Sequence, residues 1–131
     1  MNTELNFLRK EALQELETNI LPFWMQQCID TEHGGFIGRI RGDGSADPDA
    51  PKGAILNARI LWAFSAAFRV LGKKEYIETA TRAKREIIDR FYDKEYGGVF
   101  WSLDSQGRPL DTKKQIYALG FAIYGLSEYA H

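Results

Sequence analysis

The chain has 131 residues, with 17 basic and 18 acidic side chains and a formal net charge of −1. That length fits one compact domain, and 44% hydrophobic residues suffice for a core rather than a disordered tail. The balanced charge argues against a dedicated nucleic-acid or membrane-surface binder, which would carry a basic excess or stripe.

The single cysteine, Cys28, excludes an internal disulfide and fits a reducing compartment. Residues Met1 to Phe7 lack the basic-then-apolar order of a secretory signal. No apolar run is expected to approach the roughly 18 residues of a bilayer span, so the expectation is a soluble, cytoplasmic protein.

From Glu4 to about Cys28, Leu5, Leu8, Ala12, Leu13, Leu16, Ile20 and Trp24 recur at steps of three and four. That spacing predicts an amphipathic helix, with Pro22 placed to kink it or end a first segment. A second helix is predicted over Gly53–Leu71, where apolar residues cover nearly every direction around the axis and Gly72 supplies a stop. The third, about Lys74 to Phe91, again carries a single apolar stripe through Tyr76, Ile77, Ala80, Ala83, Ile87, Ile88 and Phe91. The fourth, from about Lys113 to the end, is apolar most of the way round. The order is therefore outer, inner, outer, inner.

The connectors repeat as well. Asp30 to Ile37 and Asp93 to Phe100 both place Gly-Gly before an apolar pair, followed by turns at Gly42-Asp43-Gly44 and Ser105-Gln106-Gly107. Each reads as a short β-hairpin. Asp93 minus Asp30 gives a period of 63 residues. A unit of outer helix, hairpin and inner helix cannot cover its own inner helix and has to stack beside copies of itself, as in an α-solenoid or a closed (α/α) barrel. Long hairpins on one rim and tight turns on the other place a binding site on the hairpin rim. The last residues, Ser127 to His131, carry no C-cap glycine or following proline, so residues 1–131 read as the first part of a larger, apparently truncated domain.

Phosphate-loop, zinc-finger, HExxH and GxSxG patterns are absent from the sequence. Asp43, Asp47 and Asp49 cluster in a loop without the central glycine and terminal glutamate of a calcium loop, and they read as solvated turn residues. His33 aligns with Tyr96 in the repeat, so its position reads as a flat polar-tipped ring before Gly-Gly rather than a proton carrier. Arg59 stands out within Ile55-Leu56-Asn57-Ala58-Arg59-Ile60-Leu61-Trp62, because a guanidinium that cannot lose its charge needs anionic or carbonyl partners. It is either half of a buried ion pair or a cation projecting into an axial cavity to meet an oxyanion. Asn57 adds a polar group nearby. Tyr117 and Phe121, at i and i+4, share a helix face that serves either as core or as a sugar platform.

Four segments carry a family resemblance. They are His33-Gly34-Gly35-Phe36-Ile37-Gly38-Arg39, Gly53 to Trp62, Gly97-Gly98-Val99-Phe100-Trp101, and Asp111-Thr112-Lys113-Lys114-Gln115-Ile116-Tyr117-Ala118. Together they closely resemble the cellobiose 2-epimerases of the N-acylglucosamine 2-epimerase superfamily, in order and over almost the whole chain. The resemblance implies an (α/α)6 barrel, of which this chain would hold about two of six helix pairs. It implies a carbohydrate isomerase that inverts C2 of the reducing-end sugar without a metal or redox cofactor. The route is ring opening, proton abstraction at C2, a cis-enediolate, and reprotonation on the other face.

Such chemistry needs two proton carriers on opposite faces and a cation for the enediolate oxygens. The family's Asn-Ala-Arg arginine falls on Arg59, the candidate cation, and Tyr117, Phe121 and Asn57 would line the sugar pocket. The family's acid/base histidines and the tryptophans that grip the disaccharide belong to later helices, and neither His33 nor His131 corresponds to them. The implied partner is a disaccharide or an N-acyl hexosamine. Three other readings stay open: an N-acylglucosamine 2-epimerase, a helical-repeat scaffold that self-associates through exposed inner helices, and a glycoside hydrolase or lyase. The last needs paired carboxylates, and acids are scarce on the inner helices.

Overall fold

The structure, a computed structural model, describes residues 2–131. Its first helical rod is built from α1 (Thr3–Glu15), a π-helical turn (Leu16–Ile20) and α2 (Leu21–Gln26). Asn2 caps α1 by accepting from the Glu4 N–H at 3.0 Å. Pro22 does not end the rod. The π turn widens the ring just before it, so that the Leu21 N–H reaches Leu16 O, and the missing proline N–H falls in the first turn of α2, where no partner is needed. The predicted stripe is uncovered at the front of this rod: Leu5 and Leu8 are exposed, and Leu21 is its first buried residue.

Two short hairpin strands follow, β1 (Arg39–Ile40) and β2 (Ala46–Asp47), paired antiparallel. Next come β3 (Lys52–Gly53) and α3 (Ala54–Leu71), which ends at Gly72 with φ 73°, a left-handed cap that glycine takes without strain. The antiparallel rod α4 (Lys74–Glu86) continues through a second π turn, Ile87–Phe91. Strands β4 (Ser102–Leu103) and β5 (Pro109–Asp111) then lead into α5 (Ile116–Ala130), which starts three residues later than Lys113.

The repeat holds at the level of single hydrogen bonds. Asp30 N–H donates to Gly35 O at 3.1 Å and Asp93 N–H to Gly98 O at 2.9 Å, while the Arg41–Ser45 bond recurs as Asp104–Arg108. The two hairpins are not independent, because β3 pairs with β4 to give a three-stranded sheet in the order β3-β4-β5. Lys52 lies opposite Leu103, so the start of α3 is sewn to the second hairpin.

The inner helix α3 packs on both α4 and α5 and supplies more of the core than any other element, including Ala58, Ile60, Leu61, Phe64 and Ala67. Burying a side chain such as Leu61 or Phe64 is worth about 1.5–3 kcal/mol each. From α4, Tyr76, Ala80 and Ala83 face it along the predicted stripe, with Ile87 and Phe91 continuing below. Helix α5 comes close enough that a Cβ on Gly125 would lie 2.6 Å from the Ala58 carbonyl oxygen, so only a residue without a side chain allows this crossing.

One expectation needs amending. At 18 residues and a mean hydropathy of 1.4, α3 is long and apolar enough to cross a membrane by length and composition. Here it is the central core helix, with Ala58 and Leu61 fully buried. Asp47 is also corrected: it is not a solvated turn residue but is buried, held by Arg39 and Arg41. Asp43 and Asp49 are exposed, and Asp43 accepts from the Ser45 N–H and Oγ–H.

Candidate active site

A groove of about 890 Å³ runs between the first rod, α3 and α5, and Arg59 is the charged residue in its lining. The groove exists because the inner helices present apolar residues on their free sides as well as on their core sides, so packing of α3 against α4 and α5 leaves one face of each inner helix uncovered. Arg59, in the second turn of α3, is exposed on that face. The other arginine of α3, Arg69, is neutralised by Glu128 at 2.7 Å, whereas no acid among the described residues pairs with Arg59. The alternative of a buried ion pair is therefore not what the structure contains. A guanidinium with five free donors in an apolar groove is arranged to bind oxygen anions or a dense array of hydroxyls.

The wall beside it is aromatic. Tyr117 and Phe121 meet edge to face at 5.0 Å, Phe121 meets Tyr124 edge to face at 6.4 Å, and Tyr124 stacks on Trp62 at 5.1 Å with ring planes 7° apart. This continuous wall joins α5 to α3 and ends one turn from Arg59. Tyr117 and Phe121 both line the groove. Trp62 and Tyr124 belong to the same wall and were missed, since both read as inner-helix core. Asn57 is placed elsewhere. It is 1% exposed, its amide donates to Gly53 O at 3.0 Å, its Oδ1 is without a partner, and it does not line the groove.

The rim above the groove is held by buried charge. Lys52, 2% exposed, donates from Nζ to Asp30 Oδ2 at 2.8 Å and to Gly34 O at 2.7 Å. The other Asp30 oxygen accepts the backbone N–H groups of Glu32 and His33. Burial alone would raise the Asp30 carboxyl, but the Lys52 hydrogen bond and charge with these two N–H donors outweigh it and hold the group below its ordinary range. In the second unit Lys114 donates to Asp93 Oδ2 at 2.6 Å, and Asp93 Oδ1 accepts from the Glu95 and Tyr96 N–H groups.

His33 and Tyr96 are therefore equivalent through their backbone amides rather than their rings. His33 Nδ1 lies 3.7 Å from Asp30 Oδ2, whereas the Tyr96 ring is 80% exposed. Neither His33 nor His131 lines the groove. Among the described residues no group of three or more His, Cys, Asp or Glu side chains is placed to hold a metal ion.

Residues 35–131 match the sequence profile of the N-acylglucosamine 2-epimerase (GlcNAc 2-epimerase) family. Over 122 residues the chain is 64% identical to a cellobiose 2-epimerase of Bacteroides fragilis, covering 93% of this chain and 31% of that protein. The solved cellobiose 2-epimerase of Bacillus thermoamylovorans superposes with a TM-score of 0.91 at 44% identity, over 95% of this chain and 32% of the other. That of Spirochaeta thermophila superposes at 0.91 with 41% identity, over 96% and 31%. The chain thus spans about a third of the length of the curated relatives it matches. Its hairpin repeat, mostly helical architecture and profile match carry one conclusion: the chain belongs to the N-acylglucosamine 2-epimerase family.

Proposed function

We propose that residues 1–131 form the N-terminal part of a cellobiose 2-epimerase-like (α/α)6 barrel, supplying one wall of its sugar site. The observation that carries this reading is Arg59, an unpaired guanidinium in an aromatic groove. The reaction is inversion at C2 of the reducing-end glucose of cellobiose or another β-1,4 disaccharide. After ring opening, a base removes the C2 proton and the electron pair moves toward the C1 carbonyl, giving a cis-enediolate. A fixed guanidinium beside O1 and O2 stabilises that anion more than the neutral aldehyde, which lowers the barrier. The aromatic wall takes the apolar C–H faces of the sugar and excludes water, and the Tyr117 phenol is free to hydrogen-bond a hydroxyl. The free, buried Cys28 supports a cytoplasmic setting.

This wall holds neither of the two proton carriers. The isolated chain is therefore expected to bind sugar without epimerising it: cellobiose incubated with it in D2O retains its C2 proton. Isothermal titration with cellobiose tests the site, with saturable heat from the wild type and at least a tenfold loss in Arg59→Ala. Absence of sugar-dependent heat, or equal heat from both proteins, removes the support for the reading.

A second reading rests on a separate observation. Ile116, Tyr117 and Ile123 are each 65% exposed or more, and they adjoin the groove on one helix. An apolar face of this extent favours self-association, so a scaffold that assembles through its inner helices and binds no sugar is the alternative. Concentration-dependent sedimentation with no effect of cellobiose would favour it.

A further inference from the structure

We propose that Lys52 and Lys114 are positioning residues, a repeated latch that fixes the height of each inner helix and so places Arg59 and Tyr117 at the groove. Each lysine stands two residues before an inner helix, Lys52 before Ala54 and Lys114 before Ile116. Each puts its ammonium on the outer oxygen of the aspartate that opens the preceding Gly-Gly turn, at 2.8 Å for Asp30 and 2.6 Å for Asp93. The inner oxygen of that aspartate closes its own turn through two backbone N–H groups. One carboxylate thus binds the turn with one oxygen and the helix start with the other.

The grip passes directly to the site residues. Gly53 follows Lys52, and its carbonyl accepts from Asn57 Nδ2, which closes the first turn of α3 immediately ahead of Arg59. Tyr117 lies in the first turn of α5, three residues after Lys114. The first latch is further enclosed by Arg82, whose Nε donates to Gly35 O at 2.8 Å and Nη2 to Asp30 O at 2.6 Å. The second is more open, with the Lys114 side chain 30% exposed and its ammonium 4.9 Å from the Phe100 ring centroid. Burying a lysine and an aspartate together is a poor way to gain stability, since an apolar pair of the same shape does as well or better. What the pair adds is a fixed distance and direction between the rim and the helix it starts.

The test compares Lys52→Met, which strands Asp30, with the double variant Asp30→Asn/Lys52→Met, which removes both charges. The single variant is expected to melt lower. The double variant is expected to recover thermal stability and yet bind cellobiose at least tenfold more weakly, with amide hydrogen exchange at residues 54–59 at least tenfold faster. Lys114→Met gives the same pattern more mildly at residues 116–119, and serves where Lys52→Met does not fold. This inference rests on the sugar-site reading only for its affinity arm. A wild-type chain that takes no cellobiose sinks that reading, while the exchange arm still decides the latch. Wild-type exchange in the double variant, or wild-type affinity where the unmodified chain binds cellobiose, overturns it.

Discussion

Trp62 and Tyr124 stack with ring centroids 5.1 Å apart, and they are the same position of two successive inner helices. Their separation, 124 − 62 = 62, equals that between the helix starts, 116 − 54 = 62. The repeat therefore meets itself across the α3–α5 contact, and the stack is what joins the two helices on the groove side. Replacing Trp62 and Tyr124 by leucine, singly and together, is expected to give a coupling energy of about 0.5–1.5 kcal/mol in a chemical-denaturation cycle. Additive losses would mean that the rings merely lie side by side.

Cys28 is fully buried, and burial pushes its thiol up to about 11. The thiolate is the reactive form, so two barriers act together on any reagent. Labelling by a disulfide reagent near pH 7 is expected to wait for opening of the fold and to follow the unfolding equilibrium as urea is added. Rapid stoichiometric labelling in buffer alone would contradict this placement.

Gly35 and Gly98 are repeat equivalents, both with positive φ, at 67° and 75°, but their surroundings differ. A Cβ on Gly35 would lie 2.6 Å from Glu86 Cδ, within a carboxylate that is itself buried. On Gly98 the nearest atom is a leucine methyl, Leu119 Cδ2, at 3.3 Å. Gly98→Ala should cost about 1–2 kcal/mol, mostly the backbone penalty, since only the flexible end of Leu119 has to give way. Gly35→Ala should cost more than that, since Glu86 must also move. Denaturation midpoints for the two variants check the order.

The repeat was legible because its turns are written in local chemistry: an aspartate that closes its own turn and two glycines at positive φ. The latch was not. Lys114 − Lys52 is 62, so a period of 63 read from the glycines sets Lys52 against Gln115 and hides the pair. The slip falls between the hairpins and the helix starts, beside the register shift at Ser102/Leu103. Arg59 was ambiguous because an arginine among apolar residues reads alike whether or not an acid waits across the fold, and only tertiary packing decides that. Asn57 could have been separated from it, since two residues on an α-helix are turned by roughly 200° and face opposite ways.

Glu86 supplies the last prediction. It is buried, its Oε2 has no hydrogen-bond partner, and Arg90 Nε is 3.6 Å from its other oxygen. Desolvation raises its carboxyl above the ordinary 4.5, and the repulsion of Asp30 adds to this, against the opposing charges of Arg90, Lys52 and Arg82. A raised carboxyl binds its proton more tightly in the folded chain than in the unfolded one. Stability is therefore lost as pH rises from the unfolded value through the folded one, and stays lost above it. Asp30 has the opposite sign, for its depressed value gives stability above the unfolded pKa that disappears as pH falls. Glu86→Gln keeps the shape and removes only the first effect. The variant is expected to match the wild type below about pH 4, where Glu86 is neutral in both states, and to become the more stable of the two as pH rises to neutrality. Paired urea titrations across that range decide it: a difference that is constant with pH, or that shrinks toward neutrality, would show that the arginines and Lys52 already stabilise the ionised carboxylate.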